Sequence, residues 1–370
     1  MSSAAHGGGR VYVVVVNYRG WRDTVPCLES VLRSDYPDFQ VVVCDNGSGD
    51  DSLDRLERWA RGVERPAPAA AGDALAPLFE PALPKPVAFA RLSRGAAAAG
   101  GDEGCAGARV VLVDAESNGG FAAGCNVGMR YALARGDAAF VWLLNNDAVV
   151  RPGALGALVE RLRQRPDAGQ CGSRLLAYDA PDRVQCLGGV AYDRWWGRIR
   201  PIGVGQPAAA EVDGAAVERA MDYVAGASLM ATRAFIDAVG LMEERYFLYY
   251  EELDWATRGR RFALAYAHDS VVYHREGRSV RAGGQAAPLS ETAEYHGLRN
   301  RLAYTRRFFP VALPTVYLGM VAALLNRVRR GQLRRATLLA RVLVGLPRNA
   351  AGLPARGARP AGARPTARGA

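Results

Sequence analysis

The chain has 370 residues, 49% of them hydrophobic and 23% charged, with a formal net charge of +10. That balance excludes a disordered or collagen-like chain and fits one large globular domain with an appendage. The six cysteines, Cys27, Cys44, Cys105, Cys125, Cys171 and Cys186, form no CxxC pair, so buried free thiols in a reducing compartment are expected.

The N-terminal MSSAAHGGGR lacks the apolar core of a signal peptide, and a cytoplasmic location is expected. VYVVVV (11–16) reads as a strand ending at Asn17, followed by a helical pattern through Leu28, Val31 and Leu32. QVVVCD (40–45) ends at Asp45-Asn46 and precedes the helix-like SLDRLERWA. RVVLVD (109–114) ends at Asp114 and leads into a helix of small residues near Ala122–Ala134. FVWLL (140–144) runs into Asn145-Asn146-Asp147 and precedes a helix around Ala154–Leu162. Near-continuous Val/Leu strands alternating with helices predict a mostly parallel sheet covered on both faces. Ligands of such sheets lie beyond the carboxyl ends of the strands. A polar strand end is by itself an ordinary turn, but four at one rim point to a site.

Between Arg61 and Ala108 the pattern breaks. PAPAAAGDALAPLFEPALPKP and RGAAAAGGDEG are rich in Ala, Pro and Gly, and residues 62–108 are expected to form a long, partly mobile insertion. VAGASLMATRAFIDAVG reads as a strand and a helix, FLYYEELDWATRGRR as a helix opening on an acidic cluster, and FALAYAHDSVVYH as two short strands. After Leu298 the pattern is helical and basic, and from Tyr295 to Ala370 there is no Asp or Glu. Such an end suggests an anionic partner, such as a membrane surface, phosphate or nucleic acid. Solvated arginines on a packed helical subdomain are the ordinary alternative. The apolar run Val311–Leu325 contains Pro314 and falls short of the ~20 residues of an easy membrane span. From Ala351 the tail AGLPARGARPAGARPTARGA is low-complexity and expected to be disordered.

Asp147 stands where a cation-bound diphosphate could be held, because Mg2+ or Mn2+ takes oxygen ligands from one or two carboxylates plus substrate phosphates. Asn145 and Asn146 offer hydrogen bonds there without a second negative charge. His274, in VVYHREGRS, follows another short apolar run; it reads as a structural histidine or as a second metal ligand, with Gly277 and Ser279 after it. Glu251, Glu252 and Asp254 read either as helix N-terminal charge complementing the macrodipole or as a source of a general base. The Gly-rich NGGFAAGCNVGMRYA (118–132) could bring backbone amides to phosphate. It lacks the GxGxxG spacing of a dinucleotide fold. GxxxxGK[ST] is also missing, and GASLM is no GxSxG elbow.

Taken in order, VVVVNYRGW, VVVCDNGSGDDS, NGGFAAGCNVGMRYA, WLLNNDAVV, VAGASLMATRAFIDAVGLMEERYFLYYEELDWATR, VVYHREGRS and YHGLRNRLAYTRRFFP resemble the family 2 glycosyltransferases of the GT-A fold, especially the bacterial rhamnosyltransferase-like branch. The resemblance covers about residues 10–310. It implies an α/β GT-A domain over 10–280, a C-terminal basic helical extension over 281–350 and the disordered tail 351–370. It further implies that Asn17, Asp45, Asn46 and Ser48 hold the nucleotide, and that Asn118, Gly119 and Asn126 belong to the donor-binding loop and helix. Asn145-Asn146-Asp147 would fill the DxD position, with Asn145 toward the ribose and Asp147 on Mg2+ or Mn2+, joined by His274. The base falls at Glu252, where the family ordinarily has Asp, with Glu251 and Asp254 as competitors. Arg299-Asn300-Arg301 is similar to the family's RN motif; its arginines face diphosphate or serve structure. The implied reaction is inverting transfer of L-rhamnose from dTDP-L-rhamnose to a polysaccharide or lipid-linked glycan. The implied location is peripheral, on the inner face of the cytoplasmic membrane, with no nucleic acid partner. Two rival readings are a catalytically silent membrane-bound partner of another transferase and a Rossmann-type oxidoreductase.

Overall fold

Alternating apolar side chains on the strands bury two faces at once. On β1 (Arg10–Asn17), Val11, Val13 and Val15 enter one core while Tyr12 and Val14 enter the other, the period-2 consequence of the pleat. The structure is a computed structural model and describes residues 9–275 and 289–346. After β1 come α1 (Trp21–Val31), β2 (Phe39–Asp45), α2 (Ser52–Arg61), β3 (Phe89–Ser93), α3 (Arg94–Ala98), β4 (Val110–Asp114), α4 (Phe121–Arg135), β5 (Ala138–Asn145), β6 (Ala148–Val150) and α5 (Ala154–Gln164). Then follow β7 (Ala168–Ala177), β8 (Ala180–Leu187), β9 (Gly189–Asp193), β10 (Arg198–Pro201), α6 (Gly214–Ala220), β11 (Tyr223–Val224), β12 (Ser228–Thr232), α7 (Arg233–Val239), α8 (Glu251–Arg258), β13 (Ala263–His274) and α9 (Glu291–Phe308).

The main sheet runs β3-β4-β2-β1-β5-β12-β7-β13-β6, with β8 paired to β7, and β10-β9-β11 form a second, antiparallel sheet. The five strands from β3 to β5 are parallel, and β12 is antiparallel to both neighbours. The fold is therefore α/β with a mostly parallel sheet covered by helices on both faces, as expected. Residues of α1, α2 and α5 fill one core, and residues of α4 and α7 fill the other.

Two elements differ from the pattern read along the chain. Within the Ala/Pro/Gly-rich segment, β3 adds a parallel edge strand to β4, and Leu75, Phe79, Leu92 and Cys105 are buried in the core. A five-residue FARLS between prolines and alanines carries too little periodicity to stand out. The two short strands expected in 262–274 are one strand, β13, whose register with β7 shifts between Ala267 and Val271. That bulge absorbs the polar His268-Asp269-Ser270, and Ser270 shares a 2.8 Å hydroxyl contact with Ser173. All six cysteines are buried and free.

The chain divides into two units, Met1–Val316 and Tyr317–Ala370. The second contains most of α10 (Leu313–Arg329) and α11 (Leu333–Leu343). Among the described residues, Pro310–Arg329 is a helical stretch long and apolar enough to cross a membrane. Pro314, which shortened the run as read from sequence, lies in the first turn of α10, where its missing N–H costs nothing. The expected tail 351–370, together with Gly277 and Ser279, lies outside the described residues.

Candidate functional site

Parallel pairing sets the polar strand ends side by side. Asn17 aligns with Asp45, Asp45 with Asp114, and Val16 with Asn145. The side chains then knit together. Asn17 Nδ2 donates to Asp45 Oδ1 at 2.6 Å, Ser48 Oγ donates to the same oxygen at 2.5 Å, and Ser48 N reaches Asp45 Oδ2 at 3.1 Å. Thr24 Oγ1 donates to Asn17 Oδ1 at 2.9 Å and accepts from Asn146 Nδ2 at 3.0 Å. Asn146 is thus drawn inward, joining the end of β5 to β1 and β2. Every member is buried, and a buried polar network of this kind holds only when its groups are satisfied.

Asn46 Nδ2 donates to Asn118 Oδ1 at 3.1 Å and to Gly120 O at 2.9 Å, and Gly120 N donates to Asn118 Oδ1 at 2.9 Å. Gly119 sits in this turn ahead of α4. Gly120, at φ +90, leads into Phe121, whose N–H donates to Phe247 O at 2.7 Å. A Cβ on Gly120 would lie 2.1 Å from that same oxygen, so only glycine fits. Asn126 does not join the cluster. Its amide is committed to Met242 O at 2.9 Å, Glu244 Oε1 at 2.8 Å and Met242 N at 3.1 Å. It fastens α4 to the segment before α8.

The long separation between Asp147 and His274 is closed by strand pairing. β6 begins one residue after Asp147 and runs antiparallel to β13, with His274 opposite Ala148. His274 Nε2 lies 3.2 Å from Asp147 Oδ1 and 3.1 Å from Asn145 Nδ2, while Nδ1 lies 2.9 Å from Gln185 Oε1. An amide oxygen only accepts, so Nδ1–H donates to Gln185, and Nε2 stands between the Asn145 amide and the Asp147 carboxylate. A ring nitrogen beside a carboxylate is a place where a cation could be held. Among the described residues no group of three His, Cys, Asp or Glu gathers at one point. Asp147 and His274 are two groups that could hold an oxygen-seeking divalent ion, which ordinarily completes its shell with substrate phosphates and water.

The acids of α8 separate by environment. Asp254 is fully buried, with Arg258 Nε at 2.6 Å, Arg307 at 2.8 Å and Tyr246 OH at 2.9 Å. Its carboxylate is occupied by two guanidinium groups and a phenol. Glu251 is also buried, and its Oε2 has no hydrogen-bond partner among the described residues. Burial, then repulsion from Glu252, holds its carboxyl well above the usual range. Glu252 is partly open, and burial raises it to about 7. Its Oε1 lies 2.0 Å from where a Cβ on Gly226 would stand. The neighbouring Ala227 O accepts from Asn145 N at 3.1 Å, so the carboxylate of Glu252 and the end of β5 flank one short backbone segment.

The loop that delivers Glu252 is strained. Phe247, Tyr249 and Tyr250 have φ of 65, 67 and 78, values that cost side-chain-bearing residues on the order of 1–3 kcal/mol each. Asn300, fully buried on α9, donates from Nδ2 to Tyr246 O, Leu248 O and Tyr249 O at 2.7, 2.9 and 3.0 Å. In the Arg299-Asn300-Arg301 run it is the Asn that clamps this loop. Arg299 reaches Arg245 O at 3.3 Å and Asn300 Oδ1 at 3.0 Å, and the stem of Arg301 packs on Gly197.

Sequence reading missed Thr24, Gln185, Gly226 and Asp73. None sits in a strand-end cluster, and only tertiary pairing makes them neighbours of the site. Asp73, from the Ala/Pro/Gly-rich segment, accepts from Tyr178 OH at 2.6 Å and lies 3.8 Å from Arg275, the residue after His274.

Residues 12–67 and 102–196 match the family model for glycosyl transferase family 2. No curated protein matches the sequence. Among solved structures, the chain is similar to a mannosyltransferase, PcManGT from Pyrobaculum calidifontis, in complex with GDP-Man and Mn2+. Identity is 15% over 91% of this chain and 86% of that one, with a TM-score of 0.48. It is also similar to S. aureus TarS 1–349 in complex with UDP-GlcNAc, at 14% identity over 91% and 92%, with a TM-score of 0.42. A third similar structure is GalNAc-T7 with UDP, GalNAc and Mn2+, at 12% identity over 80% of this chain and 48% of that one, with a TM-score of 0.47.

Proposed function

We propose that the chain is a family 2 glycosyltransferase, the family whose model matches residues 12–67 and 102–196, and that it transfers a sugar with inversion from a nucleotide-diphosphate donor to a hydroxyl acceptor. The observation that carries this reading is the meeting of Asp147, His274 and Asn145 within 3.2 Å at the rim, beside the segment that Glu252 packs upon. Asn17, Asp45 and Ser48 hold the nucleotide end of the donor. The Asn118–Gly120 turn opens α4 next to it, where backbone amides suit phosphate.

Asp147 and His274 would hold the divalent ion, Mg2+ or Mn2+, which when bound supplies Lewis-acid stabilisation of the departing diphosphate. Gln185 fixes the His274 tautomer and ring orientation, as partners of ligating histidines do. Glu252 acts as the base: its carboxylate takes the proton of the acceptor hydroxyl while the oxygen forms the new bond at the anomeric carbon. The bond from that carbon to the diphosphate oxygen breaks, and its electron pair leaves with the nucleotide. Direct displacement from the opposite face inverts the configuration.

The resemblance to the rhamnosyltransferase-like branch favours dTDP-L-rhamnose as donor. The acceptor is then a polysaccharide or lipid-linked glycan at the inner face of the cytoplasmic membrane. The apolar Pro310–Arg329 stretch and the acid-free basic end support peripheral attachment there. The test is a panel of nucleotide sugars assayed for Mn2+- or Mg2+-dependent turnover. Turnover of dTDP-L-rhamnose that Asp147→Ala removes is expected. Turnover that proceeds undiminished in EDTA would refute the metal assignment, and preference for another nucleotide sugar would refute the donor.

A further inference from the structure

The turn between β9 and β10, Arg194-Trp195-Trp196-Gly197, is cationic and aromatic and takes no part in the donor site. Trp195 and Trp196 are 48% and 38% exposed, Ile199 on β10 is 53% exposed, and Val311 at the start of the following helical segment is 75% exposed. The Thr315 hydroxyl, one turn after Val311, donates to Trp195 O, so these apolar groups belong to one region of the first unit. Arg194 stacks 5.6 Å from the Trp195 ring and 6.0 Å from Phe309, and Arg198 stacks 5.6 Å from Trp196. Among the described residues Arg194, Arg198 and Arg200 form no ion pair. The nearby acid, Asp193 at the end of β9, accepts from Trp195 N and Trp196 N at 3.0 and 3.2 Å through one oxygen, and the three arginines outnumber its single charge.

We propose that this hairpin tip is an interfacial anchor that seats the enzyme on an anionic bilayer surface. The inference deepens the peripheral-membrane reading above and rests on it. Three chemical features favour this occupant. Tryptophans with one polar edge partition to the headgroup level, and arginines can bury their stems there while keeping contact with phosphates. Unpaired guanidinium groups complement anionic lipid. A second copy of this chain would set the same arginines against one another. The tip also touches the catalytic loop, since Tyr250 OH donates to Gly197 O at 3.4 Å. Seating it therefore presents the loop that carries Glu252 to acceptors at the membrane.

The experiment is co-sedimentation of the full chain with neutral phosphatidylcholine vesicles and with vesicles in which about a third of the lipid is anionic phosphatidylglycerol, in low and high salt. Wild type should bind the anionic vesicles and release in high salt. Trp195→Ala with Trp196→Ala should weaken binding at least about tenfold, and Arg194→Gln or Arg198→Gln about fivefold each. Circular dichroism should show the same fold, because all four side chains are exposed or partly so. If the Trp variant binds as tightly as wild type while deletion of 317–370 abolishes binding, the hairpin inference fails and the general membrane reading survives. If wild type binds neither vesicle, both fail. A dimer in solution that the Trp variant dissolves, without vesicle binding, would assign the tip to a second copy and overturn the proposal.

Discussion

Replacing Gly226 with alanine tests the site at one atom. The new Cβ would stand 2.0 Å from Glu252 Oε1, 2.9 Å from Cδ and 3.1 Å from Cγ, whereas real Cβ contacts essentially never fall below 3.0 Å. The carboxylate must therefore retreat by about 1 Å or more, and the obstacle is the end of a flexible side chain rather than backbone. Stability should fall by no more than the ~1–3 kcal/mol typical of overpacking. Catalysis should not be so tolerant, because misplacing a reacting group by about 1 Å can cost on the order of 100-fold. The expected result is a kcat reduced about 100-fold, with donor affinity within about twofold of wild type, since the three atoms nearest the new Cβ all belong to Glu252. Steady-state turnover of the preferred nucleotide sugar, calorimetric donor titration and a thermal melt measure the three quantities. Wild-type kcat in a well-folded Gly226→Ala protein would show that the position of Glu252 is immaterial, and with it that Glu252 is not the base.

Asp147→Ala should lower metal-dependent turnover about 1,000-fold or more, the several kcal/mol a Lewis acid supplies, while the melt shows an intact fold; retained activity would remove the metal assignment. Glu252→Gln should abolish turnover and spare donor binding, and survival of activity in this variant would move the base elsewhere. With its folded-state value raised to about 7, Glu252 is a base only when deprotonated, so kcat/KM should climb through about pH 7 and level off above it; a profile flat from pH 5 to 9 contradicts this. The pair also has a stability sign. Carboxyls raised in the folded state favour folding at low pH, and that contribution is lost as pH rises from the unfolded value of about 4.3 through the folded one, so Glu251→Gln should raise the melting temperature at pH 8 more than at pH 5. Asn300→Ala removes three hydrogen bonds from a strained loop and should cost about 1–3 kcal/mol of stability, read from denaturant midpoints; an unchanged midpoint would mean the loop holds itself.

Much of the sheet was legible because its strands are nearly unbroken apolar runs. Four of them were placed within about two residues, and their polar ends were recognised as one rim. β3 was not legible, since five residues among prolines and alanines have no period to read. His268-Asp269-Ser270 looked like a break because a bulge that satisfies polar groups internally has no signature of its own. At the site, Asp147 and His274 were singled out from their positions after apolar runs. The acidic cluster was found but not resolved. Helical spacing places Glu251 and Asp254 closer to one face than Glu252 and Asp254, yet what distinguishes the three acids is their neighbours: Arg258 and Arg307 on Asp254, an interior that leaves Glu251 Oε2 without a hydrogen-bond partner among the described residues, and Gly226 under Glu252.

By itself the sequence determined which residues could do chemistry and at which strand ends they would stand, because side-chain period and strand direction are local properties of the chain. Only the tertiary structure decided which of them meet. The antiparallel pairing of β6 with β13 brings together Asp147 and His274, which are far apart in the chain. Asn300 holds a loop about fifty residues before it. Asn126 finds its acceptors on Met242 and Glu244, more than a hundred residues away in the chain. Such choices depend on long-range register and on where buried donors find acceptors, and neither is written in any short stretch of chain.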